Sequence, residues 1–177
     1  MVAACRGAGG RTLDCRAVAH PALGLPPRDP VGGFPQAAVR LRAAKARLGA
    51  RGLEFALDAD PTMRTRHDEI ALRKLLRDTD VIIERIALCV AGDDPLWLRE
   101  WADWVAPIYR RRRVPMDDVI QLTEGLRRAC AAVLSPVEIV PAERAVDEAI
   151  RVFRWYRRLA GDARKRNPIL QFIYKGA

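Results

Sequence analysis

The sequence predicts an all-α fold, and three observations carry that expectation. Apolar residues recur at helical spacing through most of the second half of the chain. Proline, glycine and small polar residues fall where helices begin and end. No stretch alternates apolar and polar residues in the manner of a strand, and no internal repeat is visible.

Residues 1 to about 35 carry Gly9-Gly10, Pro26-Pro27, Pro30 and Gly32-Gly33 without apolar periodicity. They read as a flexible tail, foreign to the native start or else a docking arm. Residues 36–177 form the expected domain, with a C-terminal extension from about 157. Two short helical pieces cover about 36–49 and 51–58.

The strongest pattern starts near His67. Leu72, Leu75, Leu76, Thr79, Ile82, Ile83, Ile86 and Val90 share one arc of a helix that stops at Gly92. Asp94-Pro95 supplies an N-cap and a first-turn proline for the next helix. Its predicted inner face holds Trp97, Trp101, Trp104, Val105 and Ile108, and Pro107 should kink it or mark its last turn. Arg110 to Arg113 suit a helix C-terminus, where the macrodipole favours cations. After Val114-Pro115, a helix carries Met116, Val119, Leu122, Leu126, Ala129, Cys130 and Val133 inward. Ser135-Pro136-Val137-Glu138 has the capping-box pattern, and Pro141 suggests one short turn before the last main helix. That helix carries Ala145, Val146, Ala149, Val152, Phe153, Tyr156 and Ala160, with Gly161 as its stop. Asn167-Pro168 would cap a final piece from Ile169 to Tyr174.

Composition narrows the function classes. The 177 residues are 50% hydrophobic and 30% charged, enough for a core in a soluble chain. No apolar run reaches the roughly 18 residues of a membrane span. No secretory signal is visible, so a cytoplasmic location is expected. The net charge of +9 favours anionic partners. Arg enrichment accompanies Ala, Gly and Pro enrichment, however, a bias that genome composition also produces. Cys5, Cys15, Cys89 and Cys130 form no C-x-x-C pair, and only His20 and His67 could join them, which argues against zinc. Cys89 and Cys130 read as small buried hydrophobes. No nucleophile elbow, phosphate loop or metal cluster points to an enzyme. Arg151, Arg154, Arg157 and Arg158 read as a solvated helix face, since no nucleic-acid motif accompanies them.

One helix stands out as a candidate surface. At 100° per residue, Lys74, Asp78, Val81 and Arg85 form a strip beside the core arc, with Arg77 next to Lys74 on the exposed side. Two cations and a carboxylate beside Val81 and Leu88 could grip a flat ligand with acidic arms, Asp78 accepting ring N–H groups. The plainer alternative is a solvated Lys74–Asp78 pair worth a few tenths of a kcal/mol.

Lys74-Leu75-Leu76-Arg77-Asp78, with an apolar helix ending in Val90-Ala91-Gly92-Asp93, resembles the chromophore-helix segment of phycobiliproteins. Tyr109-Arg110 through Val114-Pro115-Met116-Asp117 looks like that family's Tyr-Lys…Thr-Pro-Ile-Asp link, and Leu134-Ser135 onward looks like the start of its last helix. The likeness spans about residues 72–155. It implies a globin-like helical bundle without haem. It also implies that Lys74 and Arg77 meet bilin propionates, that Asp78 holds pyrrole nitrogens and that Tyr109 lies near the pigment. Leu75 stands where the family's thioether-forming Cys belongs, so any bilin would be held noncovalently. The shorter N-terminal part, the extension from Arg157 and the basic charge also depart from antenna subunits. The resemblance therefore implies a tetrapyrrole-binding sensor or a carrier in pigment metabolism. The alternative is a ligand-free regulatory or scaffold protein that forms homo-oligomers or binds a protein partner, with Ile169, Leu170, Phe172 and Ile173 as a partner surface.

Overall fold

A computed structural model describes residues 28–159. Among them the regular structure is entirely helical: α1 (Pro35–Ala43), α2 (Lys45–Ala59), α3 (Met63–Arg66), α4 (Glu69–Gly92), α5 (Leu96–Arg111), α6 (Met116–Cys130) and α7 (Ile139–Leu159). None of these helices is long and apolar enough to cross a membrane. The expected stop at Gly161 and the piece from Ile169 to Tyr174 lie outside the described residues, as do Cys5, Cys15 and His20.

The central helix is α4, which packs against α1, α2, α5, α6 and α7. Its N-terminus is fixed by Asp68, whose side chain accepts the Ala71 N–H at 2.7 Å. At its other end Asp93 takes a left-handed conformation with φ 53° and closes the helix onto the Cys89 carbonyl. Leu75, Thr79, Ile82, Ile83 and Ile86 are buried, as the periodicity requires. Leu76 is partly exposed, because the inner arc is narrower than the apolar set.

The segment before α1 is tied to the C-terminal end of α4. Gly33 and Phe34 donate their N–H groups to the carbonyls of Ala91 and Val90, at 2.7 and 2.8 Å. These carbonyls belong to the last turn, which has no partner within the helix. A side chain at Gly33 would meet the Val90 carbonyl and the Asp93 N–H, so the approach requires glycine. Arg28 adds an ion pair to Glu100 and a cation–π contact with Trp97, its guanidinium 4.9 Å from the ring centre. The last residues of the glycine- and proline-rich stretch are therefore docked, with Arg28 reaching α5.

The expected inner face of α5 is partly corrected. Leu98, Trp101, Ala102, Val105, Ala106 and Tyr109 point inward, whereas Trp104 is 67% exposed. The tryptophan stripe and the true core arc adjoin on the wheel, and α7 decides between them. Phe153 of α7 meets Trp101 edge-on at 6.4 Å. Asp94 still caps α5, accepting the Leu96 N–H at 2.9 Å. Pro107 sits inside the helix, which runs on to Arg111. Before α7, Glu138 reaches back to the Ser135 N–H at 2.9 Å, one half of the predicted capping box.

Two crossings rely on absent side chains. Gly125 of α6 lies against the backbone carbonyl of Gly52 in α2, while Gly52 abuts Leu126. Gly49 of α2 meets Thr79 of α4. Cys89 and Cys130 are buried free thiols, and desolvation pushes both up to about 12, so neither is poised to react.

Candidate functional site

The four residues singled out from the sequence separate into two pairs. Lys74 and Arg77 stand exposed on α4 and form no ion pair with any described residue. Val81, two turns on from Lys74, is also exposed. Asp78 and Tyr109, by contrast, are drawn inward at the contact of α4 with α5. An Arg112 N–H lies 3.3 Å from the Asp78 carboxylate, and the same guanidinium sits 5.8 Å from the Tyr109 ring centre.

Tyr109 is fully buried, and its hydroxyl has no partner in hydrogen-bonding geometry. Burial first, then the nearby Asp78 carboxylate, pushes the phenol far above its ordinary value of 10.0. It therefore stays neutral. Arg112 holds this arrangement because α5 ends there. Arg113 turns left-handed with φ 58°, and the Val114 N–H returns to the Tyr109 carbonyl at 3.0 Å. The arginine run thus serves the helix end, as its position suggested. A ligand seeking Asp78 would compete with Arg112 for the carboxylate. Leu75, at the position that resembles the family's attachment site, faces the core with 2% of its surface exposed.

A second polar constellation escaped the sequence reading. Asp118, in the first turn of α6, is fully buried. It accepts from Arg66 at 2.5 and 3.3 Å, and its other contact is the His67 ring nitrogen Nε2 at 2.7 Å. Arg66 also reaches Asp60 at 2.8 Å. The hydroxyl of Thr62, followed by Arg66, lowers the Asp60 carboxyl to about 2. Arg66 itself is pushed up from its ordinary value, first by its hydrogen bond to Asp118. The cluster ties α3 to α6, and it gives His67 a structural partner. One signal was available: Asp118 shares the arc of Leu122, Gly125 and Ala129, all buried.

A third feature lies between α5 and α7. Arg99, Asp103, Glu148, Arg151, Val152 and Trp155 line an open groove of 230 Å³. Val152 is buried, while Trp155 is 54% exposed. Leu159, four residues further along α7, is exposed to the same extent. Glu148 and Arg151 pair with each other at 2.6 Å. Arg99 and Asp103 are exposed, one turn apart on α5, and form no ion pair with described residues. The arginine face of α7 is partly neutralised, because Arg157 pairs with Asp117 at 2.8 Å.

Comparison of the chain with models of known families, with curated proteins and with solved structures gives no match.

Proposed function

We propose that this chain is a regulatory or scaffold module that acts through protein–protein contact, with the α5–α7 groove as its contact face. The observation that carries the reading is Trp155, more than half exposed beside a groove rimmed by both signs of charge. Burying a large aromatic side chain dominates the energetics of many interfaces, and tryptophan is enriched at their hot spots. On this reading α4 to α7 belong to a globin-like bundle of the phycobiliprotein type that has given up its pigment. The internal use of Asp78 and Tyr109 supports that loss: both groups expected at a pigment are engaged with Arg112. A photoreactive phenylalanine analogue at position 155 tests the reading, with position 64 on α3 as an exposed control. Irradiation in cells is expected to yield a defined protein adduct from position 155 and none from 64. Equal or absent labelling would remove the interaction reading.

A noncovalent bilin site is the second reading, favoured by the two cations on α4 that no described carboxylate neutralises. Lys74 and Arg77 would take propionates, and Asp78 would accept pyrrole N–H groups once Arg112 moved aside, with Tyr109 behind. A cytoplasmic sensor or pigment-carrier role would follow. Titration with biliverdin is the test. A red-shifted band that Asp78→Ala abolishes and Arg112→Ala strengthens is the expected signature; no band, or one indifferent to Asp78, eliminates it.

A further inference from the structure

We propose that the partner at the α5–α7 groove is a second copy of this chain, paired about a two-fold axis. The inference rests on the interaction reading above and specifies its partner. The chain carries a net charge of +9, yet the groove rim holds Arg99 and Arg151 against Asp103 and Glu148. A strongly acidic partner would meet the two carboxylates, and a basic one the two arginines. A copy of the same surface carries the matching mixture.

Glu148 and Arg151 already satisfy each other within α7. Arg99 and Asp103 do not, and they are the charges left for a partner. Their positions, one turn apart on α5, suit a two-fold operation. In an isologous contact, if Arg99 meets Asp103 of the second copy, then Asp103 meets Arg99 of that copy. One rigid element therefore provides two equivalent ion pairs. Trp155 and Leu159 of each copy supply the apolar centre, set against Val152 and the groove of the other. The 230 Å³ volume is large enough to receive a large side chain. Charge pairs at the rim would set register and orientation, while the tryptophan supplies the affinity.

Sedimentation velocity of the full chain over a concentration series tests the proposal. Wild type is expected to dimerise. Arg99→Glu places two acids at each contact, and Asp103→Arg places two bases. Each single variant is expected to weaken the dimer about tenfold or more. The double variant Arg99→Glu/Asp103→Arg restores opposite charges and is expected to recover it. An equimolar mixture of the two single variants is expected to form a heterodimer, because each glutamate then faces an arginine. Circular dichroism confirms that the variants keep their helix content, and Trp155→Ala provides an apolar disruption independent of charge. A wild type that stays monomeric, or single variants that dimerise like wild type, would overturn the proposal. Photo-adducts from position 155 that contain only other proteins would overturn it too, while sparing the interaction reading. Absence of all adducts would remove both.

Discussion

Gly125→Ala is expected to lower stability by about 2 kcal/mol, measured by urea denaturation. The new methyl group would stand against the backbone carbonyl of Gly52, with the Gly52 carbonyl carbon 3.1 Å and the Ala56 nitrogen 3.2 Å away. None of these atoms belongs to a side chain that can rotate clear. Helices α2 and α6 must separate, and overpacking of this kind costs about 3 kcal/mol at the upper end of its range. Better helix propensity for alanine returns about 1 kcal/mol, which leaves the net loss. The corresponding fall in Tm is about 8 °C for a domain of this size. Gly125→Val should be worse, since it adds branching to the same overlap. Gly32→Ala is the control: there the added atom meets only the Asp29 side chain, at 3.0 Å or more. A Gly125→Ala protein as stable as wild type would show that α2 and α6 do not cross as closely as described.

Asp118→Ala is expected to cost about 3 kcal/mol. The substitution leaves the His67 ring buried without its partner, and Arg66 with only Asp60 and Thr62. The cost falls chiefly on the His67 ring, which stays desolvated with no partner, whereas Arg66 is about one-third exposed and keeps Asp60. Asp118→Asn should lose less, since an amide oxygen can still accept one hydrogen bond. Asp117→Ala gives the contrast. Its partner Arg157 is about one-third exposed, so the pair is worth about 1 kcal/mol or less. Chemical denaturation of the three variants should rank them Asp118→Ala, Asp118→Asn, Asp117→Ala in falling cost. If the neighbouring acids prove equivalent, the cluster does not hold α3 to α6.

Neither effect could be read from a helical wheel. Gly52 and Gly125 lie within helices, where a glycine read alone is only a weak point. They become packing residues when α2 and α6 are laid across each other. Asp118 sits beside Asp117 in a first turn, where acids suit the macrodipole. Which of the two turns inward depends on the arc that α6 presents to the core. His67 is likewise ambiguous until Asp118 arrives from 51 residues away.

The candidate site divides along the same line. Exposure of Lys74 and Arg77 follows from their position beside the core arc, and the spacing predicted it. The environment of Asp78 and Tyr109 does not, because Arg112 is 34 residues from Asp78 and meets it only across the α4–α5 contact. The exposed Trp104 makes the same point, since the apolar stripe of α5 was chosen by what α7 could cover.

By itself, the sequence determined the all-helical class, the main helices, the Gly92 stop, the Asp94 cap and the buried thiols. These depend on local periodicity and terminal chemistry, which each segment carries within a few residues. Only the tertiary structure decided which glycines are crossing points, which acid is buried, where Arg112 goes and which tryptophans stay in solvent. Those outcomes depend on pairing between segments far apart in the chain, where close packing and burial of charge select one partner among many. The Lys74, Arg77 and Asp78 helix thus kept its exposed cations as predicted, while the fold turned its carboxylate toward an arginine that no local pattern could name.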